Sequence, residues 1–232
     1  MISFVYPVYN SQEMLKIHLR EWHSYDLSVK KCIKFILIDD CSAVPVSIPK
    51  DVEINIEVYR VDKDIPWNVT GARNLGFHVA DTEYVFTSDM DALFPKDSAK
   101  KLVEFNEADS KTMYWFPRVD RKMQWEKNRH LFTVFMAKKL FWDVGGMDED
   151  FAGQWGYEDL DFLRRYRLDR TLKEGLIQAH VIDYKFAGDA SVTSLSRDVT
   201  NKILGARKDK GIIAGSTVSL RFPWKKTYEA KL

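Results

Sequence analysis

The stretch Tyr84-Val85-Phe86-Thr87-Ser88-Asp89-Met90-Asp91 is an apolar run that breaks off into two carboxylates two residues apart. The run predicts a strand, and both acids then leave the sheet at its carboxyl end, where charge is costly to bury unless it is paired or bound to a cation. Spaced by two, both carboxylates can turn toward one ion. Hard divalent cations take oxygen ligands and bridge carboxylates to a diphosphate, so the economical reading is a Mg2+ or Mn2+ site that holds a nucleotide. A capping turn is the plainer alternative, because two acids at this spacing often arise by chance.

Outward from that strand the chain alternates apolar runs with helix-period segments. Ile2 to Tyr9 and Cys32 to Asp40 read as strands, and Ser11 opens a helix with Leu15, Leu19 and Trp22 on one face. Glu53 to Val61 alternates Ile54, Ile56 and Val58 with polar neighbours, which predicts a strand covered on one face, at or near a sheet edge. Asn68 suits an N-cap for a helix in which Ala72, Leu75, Gly76 and Val79 share a face that Arg73 and Asn74 do not. Asp97 would cap a helix through Leu102, Val103 and Phe105, ahead of a strand at Thr112 to Val119. Each return to the same sheet edge needs a crossover, so this order implies an α/β fold with a mostly parallel central sheet flanked by helices.

The second half is expected to hold a strand at Leu131 to Ala137, a short helix at Lys138 to Val144 and a loop at Gly145 to Gly156. A helix at Tyr157 to Asp169, a strand at Leu176 to Tyr184 and a polar helix at Ser196 to Arg207 follow. The end, from Thr217 through Arg221, Trp224, Lys225 and Lys226, is basic and aromatic, and a tail packed by its aromatics is favoured there over a surface-docking patch. No repeat, low-complexity linker or domain boundary interrupts the chain, which reads as one domain.

Composition excludes several classes. With 45% hydrophobic and 30% charged residues over 232 positions, the chain can bury a sizeable core, so general disorder is ruled out. Lys and Arg total 35 against 34 Asp and Glu, which leaves no global pull toward nucleic acid or membrane. Cys32 and Cys41 match no zinc or disulfide spacing and suit the reduced thiols of a cytoplasmic protein. No apolar run approaches the roughly 20 residues of a membrane helix, and Met1 to Pro7 reads as a first core strand rather than a signal peptide, although peripheral membrane contact stays open.

Other candidates gather at the same expected rim. Asp39 and Asp40 end another apolar strand, as do carboxylates that take ribose hydroxyls or a base N–H in nucleotide-binding α/β folds; solvated turn residues are the alternative. Arg73 could supply the bidentate cation a diphosphate requires, or be a surface arginine. Glu158 and Asp159 fall in the first turn of a helix, where the dipole stabilises their charge and a carboxylate can act as a general base. His180 is a lone strand histidine, more often a core or surface group than a ligand.

Together, Phe4-Val5-Tyr6-Pro7-Val8-Tyr9-Asn10, Ile38-Asp39-Asp40-Cys41-Ser42, Gly71-Ala72-Arg73-Asn74-Leu75-Gly76, Ser88-Asp89-Met90-Asp91 and Gly145-Gly146-Met147-Asp148-Glu149 with Trp155-Gly156-Tyr157-Glu158-Asp159 resemble a GT-A glycosyltransferase over roughly residues 1 to 185. The first part is similar to the family 2 type, and the last block to the carboxy-terminal motif of the β-1,4-galactosyltransferase type, both metal-dependent and inverting. The resemblance implies a single Rossmann-like GT-A domain with a nucleotide-sugar-binding half (1–119), an acceptor-binding and catalytic half (120–215) and a tail (216–232). It implies a UDP-sugar donor, a glycan or glycoconjugate acceptor and Mn2+ or Mg2+ as cofactor. By matching position, Asp39 or Asp40 meets the nucleotide base and ribose, Arg73 serves the donor diphosphate region, and Pro7, Tyr9, Asn74, Asp89 and Met90 line the donor site. Asp89, Asp91 and His180 would hold the metal, Asp159 would be the base, and Glu158, Trp155 and Gly156 would receive the acceptor. Cys41 stands where the family commonly has Gly, which puts the turn beside the nucleotide in doubt.

Two alternatives stand beside this reading. A sugar-nucleotide pyrophosphorylase normally carries a Gly-rich basic amino-terminal loop, and Pro7-Val8-Tyr9-Asn10 occupies that place here. A catalytically silent sugar-binding module would be expected to lose the acidic sites, which are present.

Overall fold

The structure is a computed structural model and describes residues 1–125, 129–130, 132–184, 197–209 and 218–232. Its first half runs β1 (Ile2–Val8), α1 (Gln12–His23), α2 (Leu27–Lys30), β2 (Ile33–Asp39), β3 (Ile56–Val61), α3 (Val69–Val79), β4 (Tyr84–Thr87), β5 (Ala92–Leu93) and α4 (Lys96–Val103). Then come β6 (Thr112–Trp115), β7 (Arg118–Asp120), β8 (Val134–Ala137), α5 (Lys138–Asp143), a 3-10 turn at Glu149–Phe151, α6 (Glu158–Leu168), β9 (Lys173–Leu176), β10 (Val181–Asp183), α7 (Asp198–Asp209) and β11 (Trp224–Ala230).

Among the described residues, eight strands form one sheet in the order β11-β3-β2-β1-β4-β8-β6-β9, and β5-β10-β7 form a small second sheet. Strands β3, β2, β1 and β4 are mutually parallel, so their carboxyl ends open on one rim. β8 enters antiparallel between β4 and β6. Alternation along β1 sends Phe4, Tyr6 and Val8 to one core and Val5 to the other. On the first face Trp22 of α1 stacks on Phe35 at 4.3 Å; on the second, Phe77 of α3 stacks on Phe141 of α5 at 3.7 Å.

Several expectations shift. β3 lies near the sheet edge as expected, one strand in from β11, but it is covered on both faces: Ile56 and Val58 enter one core and Tyr59 and Val61 the other, and Glu57 is ion-paired with Lys34 at 3.1 Å and Lys226 at 2.9 Å. The basic aromatic tail thus enters the sheet as an edge strand, with Trp224 edge-on to Tyr59. Pro95, not Asp97, stands at the N-cap of α4, and Asp97 lies in the first turn, where the helix dipole favours it. The expected strand at Thr112 to Val119 splits in two around Phe116-Pro117, where proline has no N–H for a ladder, and of the strand expected at Leu176 to Tyr184 only Val181–Asp183 forms, Leu176 ending an earlier strand, β9. Leu131, Ser196 and Thr217, expected in a strand, a helix and the tail, lie outside the described residues.

Helix α3 lies close against the sheet because Gly76 faces Val5: a Cβ added there would meet Val5 Cγ1 at 2.2 Å. Gly76→Ala is therefore expected to lower stability by about 1–3 kcal/mol through overpacking, read as a lower urea midpoint with an unchanged slope.

Candidate active site

The rim holds a cavity of about 880 Å³. Pro7 and Tyr9 reach it from the end of β1, Asp40 from β2, Asp89, Met90 and Asp91 from β4, Arg73 from α3, and Trp155, Gly156, Glu158 and Asp159 from the loop and first turn of α6. Segments more than 150 residues apart in sequence meet here because four parallel strands end together.

Arg73 is fully buried and forks across the cavity floor: one terminal nitrogen donates to Asp159 Oδ1 at 2.6 Å, the other to Asp89 Oδ1 at 2.6 Å. The guanidinium lies over the Phe132 ring at 4.5 Å. Burial works against its charge, but Asp159 and Asp89 more than offset that cost and keep it protonated. It is not a surface arginine: each terminal nitrogen is held by a carboxylate at the cavity floor.

Glu158 and Asp159 are aimed into the cavity by backbone geometry. Gly156 (φ 92°) and Tyr157 (φ 68°) both take left-handed conformations, the second an uncommon one for a bulky residue, and α6 starts immediately after. Glu158 is buried; its Oε1 accepts from Trp67 Nε1 at 3.0 Å, and its Oε2 has no hydrogen-bond partner among the described residues. Burial, aided by the neighbouring Asp159 charge, pushes its carboxyl up to about 7. Burial raises Asp159 as well, against the pull of Arg73. Trp67 meets Trp155 edge-to-face at 6.3 Å, and Arg197 lies over Trp155 at 3.9 Å, forming an aromatic wall of which the sequence had singled out only Trp155.

Asp89, Asp91 and His130 place one ligand atom each within 4.8 Å of one another. His130 Nε2 lies 3.3 Å from Asp91 Oδ1. Burial would lower the imidazole, yet Asp91 and Asp89 raise it overall; His130 in turn holds Asp91 below its ordinary range despite burial. Two carboxylates and an imidazole fit Mn2+, and the carboxylates alone suit Mg2+. His180 is not in this group. Ile182 pairs with Leu93 and Asp183 with Ala92, so His180 lies further along β5 toward α4, where its backbone N–H donates to Ser98 Oγ at 3.0 Å. His130 arrives instead through the β4–β8 register: Thr87 opposes Val134, which carries the residues before β8 to those after β4. Behind the turn, His18 is buried and drawn down to about 4 by burial, so its neutral ring donates from Nε2 to the Met90 carbonyl at 2.8 Å.

The remaining candidates divide. Asp40 lines the cavity, accepts from Asn68 Nδ2 at 2.8 Å and is pushed up to about 7 by burial. Asp39 instead is buried under its loop, accepting from Ser42 N at 2.8 Å, Val46 N at 3.1 Å and Arg60. Cys41 between that loop and Asp40 has φ 59°, a conformation glycine takes without strain. Asn74 does not reach the cavity: its amide clamps the Met147 backbone, donating to the carbonyl at 2.9 Å and accepting from the N–H at 2.8 Å. Asp148, Glu149 and Asp150 likewise serve the architecture, binding Arg207, the backbone of Leu220 and Arg221, and the Arg221 side chain.

No curated protein sequence matches the chain. Among solved structures, residues 1–349 of S. aureus TarS in complex with UDP-GlcNAc align with a TM-score of 0.73 at 17% identity, over 94% of this chain and 68% of that one. The S. aureus TarS structure without stated truncation aligns with a TM-score of 0.63 at 14% identity, over 94% of this chain but 40% of that one, so the chain spans well under two thirds of it. At such identities the likeness establishes the GT-A fold of a single α/β domain with a largely parallel central sheet. The sequence of residues 3–171, well over half the chain, matches the family described as Glycosyl transferase family 2, so the chain belongs to that family.

Proposed function

We propose that the chain is a metal-dependent, inverting hexosyltransferase that moves a sugar from a UDP-sugar to a hydroxyl of a glycan or glycoconjugate. One observation carries this reading: Arg73 ties Asp89, a member of the Asp89–Asp91–His130 cluster, to Asp159 across one cavity. That arrangement sets a cation-binding edge beside a raised carboxyl group. The complex of TarS with UDP-GlcNAc supports UDP as the nucleotide. The likeness of Trp155 to Asp159 to β-1,4-galactosyltransferases supports the acceptor side. We assign residues 1–119 to the donor, 120–215 to the acceptor and chemistry, and the work of the enzyme to the cytoplasm, where Cys32 and Cys41 remain free thiols.

Asp89, Asp91 and His130 would hold Mn2+ (or Mg2+ through the carboxylates), which when bound acts as a Lewis acid toward the leaving diphosphate. Pro7, Tyr9, Asp40 and Met90 bound the donor side. Trp155 offers an apolar ring face to a pyranose, and Glu158, fixed by Trp67, presents Oε2 to an acceptor hydroxyl. Arg73 grips Asp159 through Oδ1 and leaves Oδ2 for a proton. Asp159 takes that proton as the acceptor oxygen bonds to the anomeric carbon. The bond from this carbon to the diphosphate breaks on the opposite face, its electron pair leaves with the nucleotide, and configuration inverts.

UDP-sugars incubated with Mn2+, with and without glycan acceptors, test the activity: acceptor-dependent release of UDP is expected, and its absence across donors would count against the reading. Asp159→Asn is expected to keep donor binding while kcat falls by about 10² to 10⁴. Near-normal turnover would remove Asp159 from the role. Asp40 generates a pH prediction. Its folded pKa of about 7 stands above its ordinary 3.8, so the folded state binds the proton more tightly. The stability this gives is fully present below about pH 4 and is lost as pH rises through 7. Urea midpoints at pH 5 and pH 8 should show Asp40→Asn removing roughly 2–3 kcal/mol of that decline.

A further inference from the structure

Behind His130 lies a short chain of hydroxyls. The antiparallel register that sets Thr87 against Val134 brings Thr133 beside Ser88, and both side chains are buried. Ser88 Oγ and Thr133 Oγ1 are 2.8 Å apart, and Thr133 Oγ1 is 2.9 Å from His130 Nδ1. The other ring nitrogen faces Asp91. An imidazole that offers its Nε2 lone pair to a cation must carry its proton on Nδ1, and a buried N–H needs an acceptor. A hydroxyl can accept that proton's hydrogen bond and donate its own hydrogen onward, here to Ser88 Oγ.

We propose that Thr133 is a positioning residue which, backed by Ser88, holds His130 with Nε2 toward Asp89 and Asp91 and thereby gives the site its preference for Mn2+ over Mg2+. The proposal rests on the metal-site reading above. Imidazole is a good ligand for the later divalent metals and a poor one for Mg2+, which the two carboxylates serve alone. Loss of the Thr133 hydroxyl leaves Nδ1 without its acceptor and the ring free to turn, which weakens the imidazole contribution and spares the carboxylate one. Groups behind a ligating histidine typically matter by about 10- to 100-fold in metal affinity.

The test is Mn2+ titration followed by electron paramagnetic resonance, with Mg2+ as competitor, on the full chain in the presence of UDP. Thr133→Val is expected to bind Mn2+ about 10- to 100-fold more weakly with its Mg2+ affinity within about twofold of wild type, and Thr133→Ser to behave as wild type. Ser88→Ala, a second variant should Thr133→Val fold poorly, is expected to shift Mn2+ in the same direction by a smaller factor. An unchanged Mn2+ affinity in Thr133→Val, or an equal loss of both ions, overturns the proposal. Wild type that binds no Mn2+, or Asp91→Ala that binds it as well as wild type, overturns the metal-site reading and this inference with it.

Discussion

The forked contact of Arg73 with Asp89 and Asp159 is the constraint on which the site depends. It joins the end of β4 to the start of α6, two elements with no strand pairing between them. The cation is buried and shared by two carboxylates, so its fixed fork holds both acids in one arrangement. The depth of α3 makes the fork reach: Gly76 lets the helix lie on Val5, and Gly71 lets its first turn lie against Phe222. Phe132, delivered by the same turn as His130, closes the open face of the guanidinium. One short helix thus sets the spacing between the cation-binding edge and the proton-accepting edge of the cavity.

The carboxylates around that cavity fall into two groups whose environments push them apart. Asp40, Glu158 and Asp159 are raised, chiefly by burial, whereas Asp91 beside His130 is held low. Asp40 and Glu158, raised to about 7, hold and release protons near neutrality, whereas Asp91 stays anionic and faces cations.

Much of this was legible in the sequence because it depends on period and order. Apolar runs ending in Asp39-Asp40 and Asp89-Met90-Asp91 announce strands with acids at their carboxyl ends, and the parallel rim follows. What stayed hidden depends on register and on saturation of polar groups. Asp39 and Asp40 are adjacent in sequence, yet one is consumed by Arg60 and its own loop while the other faces the cavity. Asn74, one residue from Arg73, points to Met147. His130 belongs to the site only because β8 runs antiparallel beside β4, a pairing no spacing along the chain encodes; His180, on an apolar strand, had the more suggestive surroundings and lies elsewhere. Trp67 was invisible for the same reason, its indole N–H meeting Glu158 across 91 positions.

The pairing of β11 with β3 has a consequence for biosynthesis. Trp224 sits opposite Val61, and Ala230 opposite Ile56, so the flank of the sheet beside the Asp39–Asp40 loop is completed by a strand translated more than 160 residues later. During translation the side of β3 away from β2 stays unpaired, the state most open to wrong partners, until Trp224–Ala230 has been made. Closing so long a loop is also slow, so the pairing of β11 with β3 is expected to lag behind that of β2 with β3.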